Sequence, residues 1–575
     1  MSEVRMTGAE IPLGALREAV LAAAGALAGA SGGGREGESE RKSTGASTLG
    51  GADAITLERP PRADFGDYST NAALVLAPAL GASPRDVAGR LGRELAGRLG
   101  EQLDRFEVAG PGFLNLFLAD GWHRAALAGM LVAGEDLGAA GGVEQRERIL
   151  VEFVSANPTG PMHVGHARNA AYGDALARVL ELYGHEVERE FYVNDAGSQI
   201  TKLGESIRAL ARGEEVAQDG YRGEYVKELV ASLANASTMD PAELGRAAVA
   251  VMVGRVQASL SAFAVRGFDH WQYESALHEG TPSAVEHALN ELEANGHTYR
   301  REGALWLRST DFGDDKDRVL VRSSGEHTYF ASDIAYHLDK RERGYGRQID
   351  VWGADHHGYT ARMKAAYAAL GGDPEHLEML IMQLVHLMRR GERAQMSKRA
   401  GEFVTLDELI EEIGVDAGRW FLLSRSHDTT IDLDLDLARE QSKENPVYYV
   451  QYAHARIASV LAKAGPELVE QALAEVAGST PDDPAELHAS ERALIKRLLA
   501  LRREVGEAAE RRAPHRIAAY VLELAQDFTA FYRDCHVLGV EPAAVESQRL
   551  ALSVAAQRGI ALCLELLGVS APVEM

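Results

Sequence analysis

The chain has 575 residues, of which 46% are hydrophobic and 25% are charged, and its formal net charge is −25. The length predicts roughly three or four domains, and the composition is typical of a soluble globular protein. The acidic total argues against a general nucleic-acid-binding protein, but it is compatible with a local basic face that binds RNA.

Residues 1–120 are predicted to form a small α/β domain. Residues 11–30 (IPLGALREAVLAAAGALAGA) have the composition of a helix, whereas residues 31–51 are rich in Gly, Ser and charged side chains and are predicted to be a disordered insertion. Short apolar runs then alternate with turns over residues 52–120 and end in the strand-like VAGPGFLNLFL.

Residues 121–444 are predicted to form an α/β domain of the Rossmann type. RILVEFVSA, EREFYVND, LWLRS, RVLVRSS and QIDVWGAD are predicted strands, and a mostly helical insertion is expected around residues 198–300. A helix from His166 to Tyr183 is expected to end at Gly184, and another helix is expected to begin at Ala331. Strands that alternate with helices in this way favour a doubly wound parallel sheet.

Residues 445–575 are predicted to be an all-α domain. The segment is a succession of amphipathic helices with breaks near Gly478 and Pro514. This pattern is typical of a helical bundle.

Several kinds of site are not expected. The only cysteines, Cys535 and Cys563, form no Cys-x-x-Cys pair, which argues against a zinc site and against a disulfide framework. The start MSEVRMTGAEIPLG lacks the pattern of a signal peptide, and no run of about 18 apolar residues occurs. We therefore expect a cytoplasmic protein without a membrane span.

The strongest motif lies between the first strand of the Rossmann-type domain and its helix, and it comprises Ala156, Asn157, Pro158, Thr159, Gly160, Pro161, Met162, His163, Val164, Gly165 and His166. A helix N-terminus at the carboxyl edge of a parallel sheet attracts phosphate. The two histidines could donate hydrogen bonds to phosphate oxygens, and Gly165 lets a flat base approach the backbone. The alternative is a pair of solvent-facing histidines at a helix start.

A second motif, Met396-Ser397-Lys398, follows Gln395. A mobile loop that carries Lys398 could close on ATP and neutralise its phosphates. Taken alone, such a sequence is more often a solvated surface loop. Its value lies in following an H-x-G-H motif in the same α/β domain.

Together the two motifs resemble the HIGH and KMSKS signatures of class I aminoacyl-tRNA synthetases. Longer segments resemble the arginyl-tRNA synthetase family in particular, and they are, in chain order, GDYSTNAA, VAGPGFLNLFL, VEFVSANPTGPMHVGHARNA, YVNDAG, TYFASDIAYHLDK, VWGADHHGY, MSKRAGEFVTLDEL, NPVYYVQYAHARI and LGVSAP. The first two resemble the tRNA-binding N-terminal domain peculiar to this family. Gln395 stands where the usual motif has Lys, a departure that is frequent in the family.

The resemblance implies roles for individual residues. His163, His166 and Lys398 would be catalytic, and Gly165, Met396 and Ser397 would join them in binding ATP with Mg²⁺ on its phosphates. Tyr329 and Asp333 would hold the guanidinium of arginine, Glu152 would help to shape that site, and Asn157 and His357 would contact the backbone end of the substrate.

The arginine site can also be judged from the residues themselves. A guanidinium requires carboxylates in a planar fork, and Tyr329 and Asp333 share a face if their segment is helical. A helix N-cap is the alternative for Asp333. His356 and His357 follow Asp355 without a further ligand at suitable spacing, so no protein-bound metal is expected.

The helical C-terminal domain corresponds to the part of the family that binds the anticodon arm. Its candidate RNA contacts are the basic side chains of Arg492, Lys496, Arg503, Arg511, Arg512 and Arg516, whose alternative is a solvated face. Tyr448, Tyr449 and Tyr452 could stack on unpaired bases or belong to the core.

The resemblance thus implies ATP-dependent ligation of L-arginine to its tRNA through arginyl-adenylate, with tRNA required for activation, by a monomeric enzyme. The alternatives are another class I synthetase, a small-molecule nucleotidyltransferase and a non-catalytic tRNA-binding paralogue. The full-length match disfavours the first, the helical C-terminal domain disfavours the second, and the presence of His163, His166 and Lys398 disfavours the third.

Overall fold

A computed structural model describes residues 12–30, 54–60, 62–139, 146–394, 404–478 and 485–575. The predicted insertion at 31–51 lies outside the described residues, as do Gln395, Met396, Ser397 and Lys398.

The N-terminal region is a small α/β unit, as expected. Its elements are α1 (Pro12–Ala30), β1 (Leu57–Glu58), β2 (Tyr68–Thr70), α2 (Ala72–Leu80), α3 (Pro84–Leu99), β3 (Leu103–Ala109), β4 (Phe113–Leu118) and α4 (Asp120–Ala133). The strands form an antiparallel sheet in the order β1-β2-β4-β3. Helix α3 begins at Pro84 because the Ser83 side chain accepts a hydrogen bond from the backbone N–H of Asp86.

The central region contains, in chain order, β5 (Arg148–Glu152), α5 (Val164–Tyr183), β6 (Glu186–Val193), α6 (Ser198–Ala211), α7 (Glu224–Ser232), α8 (Pro241–Ala262), β7 (His270–Tyr273), α9 (Ala284–Ala294), β8 (Thr298–Arg301), β9 (Ala304–Leu307), β10 (Arg318–Val321), α10 (Tyr329–Glu342), β11 (Arg347–Gly353), α11 (Thr360–Ala369), β12 (Leu377–Met382), β13 (Val385–Arg389), β14 (Glu392–Arg393), α12 (Leu406–Ile413), α13 (Val415–Leu422), β15 (Ile431–Asp434) and α14 (Leu435–Arg439).

Five of these strands form a wholly parallel sheet in the order β12-β11-β5-β6-β7. The chain runs from β5 outward to β6 and β7 and then crosses back to β11 on the opposite side of β5. The order therefore reverses between β5 and β11. In open α/β sheets ligands bind outside the carboxyl ends of the strands at such a point.

Three predictions for the central region were wrong in part. The insertion expected around 198–300 is helical in α6, α7 and α8, but β7 lies inside it and forms an edge of the parallel sheet. The predicted strands LWLRS and RVLVRSS belong to a separate antiparallel sheet of order β10-β9-β8. Helix α10 begins at Tyr329 rather than Ala331, because the Thr328 side chain accepts a hydrogen bond from the N–H of Ala331.

The C-terminal region is a helical bundle, as expected, and contains α15 (Pro446–Ala464), α16 (Pro466–Gly478), α17 (Ala489–Leu499), α18 (Leu501–Glu510), α19 (His515–Asp534) and α20 (Ala543–Leu567). By length and composition α20 could cross a membrane, but 72% of its apolar window is buried inside the protein. It is therefore the core helix of the bundle.

The bundle packs against both other regions through charged side chains. Lys496 Nζ lies 2.6 Å from Asp67 Oδ1, and Arg492 Nε lies 2.7 Å from Asp120 Oδ1. Arg512 donates two hydrogen bonds to Glu378 on β12 at 2.8 and 2.9 Å. The charges of these three predicted RNA contacts are thus engaged between domains, and their contact with RNA stays a prediction.

The remaining basic residues of that stripe face acidic neighbours. Arg503, Arg511 and Arg516 all lie within 4.0 Å of Glu507, and Arg503 and Arg516 also contact Glu504. Two glutamates therefore offset most of the positive charge of these three arginines.

Candidate active site

A cavity of about 1130 Å³ lies at the carboxyl ends of β5 and β11. Predicted site residues that line it are Glu152, Ala156, Asn157, His163, Val164, Gly165, His166, Tyr329 and Asp333. Thr159 and Met162 are buried in the adjoining turn. Nothing is described of the His357 side chain, and the Met396–Lys398 motif is outside the described residues. The structure thus brings most of the predicted site residues together around one cavity.

The chain leaves β5 through a sharp turn. Val154 and Ser155 have φ values of 69° and 41°, which lie in the left-handed region that β-branched residues rarely adopt. Ser155 Oγ donates to Glu152 Oε1 at 2.7 Å and accepts from the Tyr192 N–H at 3.1 Å. These bonds hold the turn against β6, so that the following residues cross the end of the sheet.

His163 and His166 form the N-terminal cap of α5. His163 Nδ1 accepts from the Gly165 N–H at 3.0 Å, and His166 Nδ1 accepts from the His163 N–H at 3.3 Å. The two rings stack with their centroids 3.7 Å apart. Since both Nδ1 atoms accept, each neutral ring carries its proton on Nε2, which can donate to a ligand.

Burial also sets the charge of these histidines. It lowers the pKa of His163, and together with the neighbouring His163 it lowers the pKa of His166 to about 3. Both rings are therefore neutral near pH 7. They add hydrogen-bond donors to the positive end of the α5 dipole without adding full charges.

The first motif is bonded to the segment that follows the second motif. The Val164 N–H donates to Val404 O at 3.2 Å, and the Leu406 N–H donates to Met162 O at 2.8 Å. Ala394 and Val404, the described residues on either side of the Met396–Lys398 stretch, both line the cavity. The flanks of the second motif are thus anchored at the site.

The opposite wall of the cavity is acidic. Tyr329 is the first residue of α10 and is 62% exposed, and Asp333 lies one turn further on the same face. Tyr359 donates its hydroxyl hydrogen to Asp333 Oδ2. The N-cap alternative for Asp333 is wrong, because Thr328 is the cap of this helix.

One acidic residue that interacts with Asp333 was not among the predicted site residues. Glu274 follows β7, is 5% exposed, and has its pKa raised to about 7 by burial and by the charges of Asp333 and Asp195. Burial and the same carboxylates also raise the pKa of Tyr192, which lines the cavity. A buried carboxylate beside two half-buried ones that repel it would be stabilised by a cation. The only sequence signal for Glu274 was its place in Tyr273-Glu274-Ser275, at the end of β7, a short strand that was not among the predicted strands.

Comparisons with known proteins agree with this geometry. Three family models match the chain: the arginyl-tRNA synthetase N-terminal domain at residues 43–118, the class I (R) tRNA synthetase catalytic domain at 127–220 and 249–434, and the DALR anticodon-binding domain at 450–575. An arginine–tRNA ligase of Bacillus licheniformis is 43% identical over 541 residues, which are 91% of this chain and 94% of the relative. The chain belongs to the arginyl-tRNA synthetase family.

Other relatives support the same assignment. An arginine–tRNA ligase of Listeria monocytogenes is 44% identical over 535 residues, covering 91% of this chain and 94% of the relative. The arginyl-tRNA synthetase of Thermus thermophilus has a TM-score of 0.72 at 25% identity, with 98% of this chain and 99% of that chain covered. A methionyl-tRNA synthetase of Mycobacterium tuberculosis shares the fold, with a TM-score of 0.51 at 16% identity over 73% of this chain and 91% of that chain.

The predicted fold class and family are therefore confirmed. The enzyme charges tRNA with arginine, and the three alternative functions are not favoured.

In this synthetase Glu152 is already paired. Lys340 Nζ lies 2.6 Å from Glu152 Oε2 and 2.9 Å from Asp350 Oδ1, and all three side chains are buried. Burial alone would lower the pKa of Lys340, but Asp350 and Glu152 raise it above its usual value, so the lysine stays charged. Glu152 thus ties β5 to α10, the helix that carries Tyr329 and Asp333.

The C-terminal bundle carries an exposed group of aromatic and basic side chains. The rings of Tyr448 and Tyr452 stack with their centroids 6.1 Å apart, and Arg456 lies over the rings of Tyr452 and Tyr532. Tyr452 and Tyr532 are 40% and 39% exposed. In contrast, Tyr449 is packed against the core and bonded to Thr529.

Among the residues that the structure describes, no group of three or more His, Cys, Asp and Glu could hold a metal ion. The side chains of Asp355, His356 and His357 are not part of this description. The described protein groups therefore provide no cage for Mg²⁺.

Proposed function

We propose that the cavity catalyses both steps of arginine charging. An oxygen of the arginine carboxylate attacks the α-phosphorus of ATP, the bond from that phosphorus to the bridging oxygen breaks, and pyrophosphate leaves. The terminal ribose hydroxyl of tRNA then attacks the carbonyl carbon of arginyl-adenylate, and AMP leaves. The observation that carries this proposal is one cavity that joins the imidazoles of His163 and His166 on one wall to the half-buried carboxylate of Asp333 on the other.

His163 and His166 serve the phosphate end. Their Nε2–H groups and the N-terminus of α5 stabilise the charge that develops on phosphate oxygens. Gly165 is required beside them, because a Cβ at this position would lie 2.9 Å from His163 Cε1. Lys398, with Met396 and Ser397, would add a positive charge, a role supported by the position of Ala394 and Val404 at the cavity.

Asp333 and Glu274 serve the guanidinium end, with Tyr329 at the rim. A guanidinium has five N–H donors in a plane, which two carboxylates can accept together. Asn157 and His357 would contact the backbone end of arginine. Glu152 would act indirectly by holding α10 through Lys340.

Magnesium would arrive on the ATP phosphates, since Mg²⁺ usually keeps several waters and substrate phosphates as ligands. It would neutralise phosphate charge, and no step here depends on a protein ligand for it. We further propose that the enzyme is a cytoplasmic monomer.

Tyr448, Tyr452, Tyr532 and Arg456 would contact the anticodon arm. Exposed aromatic rings and guanidinium planes stack on unpaired bases, and this group remains after the basic stripe has been assigned to contacts within the protein. The N-terminal domain would contact the same tRNA.

The test is amino-acid-dependent exchange of pyrophosphate into ATP on protein stripped of RNA. It is measured with each amino acid in turn, with and without added tRNA. We expect exchange with arginine alone among the amino acids, and only when tRNA is present. Exchange with a different amino acid would overturn the assignment of the acidic wall. Exchange with arginine in the absence of tRNA would overturn only the tRNA requirement.

A further inference from the structure

The helical insertion forms a rigid unit with its own small core. Helices α6, α7 and α8 bury the apolar side chains of Leu203, Ile207, Val226, Leu229, Ala236, Leu244, Ala248 and Met252. The backbones of α6 and α8 are in close contact, since a Cβ at Gly204 would lie 1.8 Å from Pro241 O and one at Gly245 would lie 2.1 Å from Ile200 O. The insertion can therefore hold in place the neighbouring segments that its surface contacts.

One side of this unit touches the turn that leads to the catalytic histidines. Tyr225 donates its hydroxyl hydrogen to the backbone oxygen of Thr159 at 2.9 Å. A Cβ at Gly160 would lie 3.7 Å from the same hydroxyl oxygen. Asn157 Nδ2 is also 3.5 Å from Gln199 Oε1 on α6. The insertion thus meets the turn at two points.

Tyr225 lies in a part of the chain that the family's catalytic-domain model does not match. That model covers residues 127–220 and 249–434, whereas α7 falls between the two matches. Buried Val226 and Leu229 anchor α7 in the small core, which fixes the position of the Tyr225 ring.

The turn requires such support. It leaves β5 through two left-handed residues and reaches α5 without regular backbone pairing until His163 and Thr405 form a bridge. Catalytic donors must be held within about 0.5 Å of their productive position. A hydrogen bond to the carbonyl oxygen of the buried Thr159 fixes the turn at its middle.

We propose that Tyr225 is a positioning residue for adenylate formation, and that the helical insertion holds the catalytic turn through the bond from its hydroxyl to Thr159. This inference rests on the proposed roles of His163 and His166. Tyr225 does not line the cavity. It sets where the turn places His163 and His166.

The test is Tyr225→Phe, which removes the hydroxyl and keeps the ring. In tRNA-dependent pyrophosphate exchange we expect kcat to fall roughly three- to tenfold, the value of one neutral hydrogen bond, with ATP and arginine KM changed less than about twofold. The thermal midpoint and the single-turnover transfer of arginine from preformed arginyl-adenylate to tRNA should stay the same.

Tyr221→Phe is the matched control, because Tyr221 is a half-buried tyrosine of the same insertion and its backbone N–H, not its hydroxyl, donates to Ser206 Oγ. It should exchange at the wild-type rate. A Tyr225→Phe enzyme with wild-type kcat, or one slowed equally in transfer or unfolding at lower temperature, overturns the positioning role. His163→Ala, measured alongside, tells the two failures apart: wild-type exchange in that variant overturns the proposed catalytic turn itself.

Discussion

At the scale of single residues, the proposed role of His163 and His166 as neutral donors can be tested directly. We predict that His163→Ala and His166→Ala each lose about 2–4 kcal/mol of transition-state stabilisation, the range measured for one lost oxyanion donor. The comparison of pyrophosphate-exchange rates with wild type checks this. Thermal unfolding should change little, and exchange within about threefold of wild type would contradict the role.

A separate prediction concerns the pH dependence of Glu274, the carboxyl group that interacts with Asp333. The pKa of Glu274 is raised to about 7 in the folded protein, so its charge is lost as pH falls through that value. If arginine binds the ionised form, as proposed, its KM should be about tenfold higher at pH 6 than at pH 8. Ionising this buried carboxyl group without a ligand costs folding free energy. The free enzyme therefore loses stability as pH rises through 7, whereas arginine binding becomes tighter.

The measurement is arginine KM against pH for wild type, Glu274→Gln and Asp333→Asn. Glu274→Gln should raise arginine KM at pH 8 and flatten its pH dependence, whereas ATP KM should change little. Asp333→Asn should also raise arginine KM, because it removes charge facing the guanidinium. If arginine KM in Asp333→Asn equals that of wild type, Asp333 does not bind the substrate.

At the scale of elements, the strands and helices with a regular apolar pattern or a clear turn signal could be predicted from the sequence. The apolar runs of β5, β6 and β11 and the Gly184 end of α5 follow from period and turn chemistry, and they fixed the Rossmann-type sheet. Strand β7 was missed because HWQY is short, with one buried residue, and lies among helices. Glu274 was missed with it, since its position is set by that strand.

Side-chain partners between elements could not be read from the sequence. A basic stripe looks the same whether it faces solvent, RNA or another domain. Arg492 and Lys496 form ion pairs with Asp120 and Asp67, from which they are separated by 372 and 429 residues in the sequence. The local sequence pattern carries no information about such pairs. The sequence therefore could not show that these side chains pair between domains.

A buried charge joins several elements behind the catalytic turn. Asp174 on α5 and Arg419 on α13 are both fully buried with their atoms 2.6 Å apart, and Arg178 contacts the same carboxylate. Asp174→Ala leaves two arginines without this partner, and breaking a buried pair in this way costs about 3–5 kcal/mol. The midpoint of thermal unfolding should fall clearly, and an unchanged midpoint would show that the pair does not contribute.

At the scale of the whole molecule, the bundle contacts α5 along its length. Tyr172 donates to the backbone oxygen of Arg512 at 2.6 Å, Arg178 donates to that of Glu565 at 2.9 Å, and Tyr183 donates to Glu510. The N-terminus of this helix carries the catalytic histidines. A tRNA bound on the bundle can therefore shift α5 toward its productive position if it binds that state more tightly.

Arg512→Ala tests this coupling, because it removes the fork that joins the bundle to Glu378 on β12. We expect tRNA to stimulate pyrophosphate exchange about five- to tenfold less than in wild type, within the usual range of coupling energies, while the Kd for tRNA changes little. Arg511→Ala is the control, since that neighbouring side chain is 68% exposed and forms its ion pair with Glu507 on α18, within the bundle. Equal stimulation in both variants would mean that the bundle acts on the catalytic helix by another contact. A weaker Kd in Arg512→Ala, with full stimulation once tRNA is saturating, would instead assign Arg512 to tRNA binding.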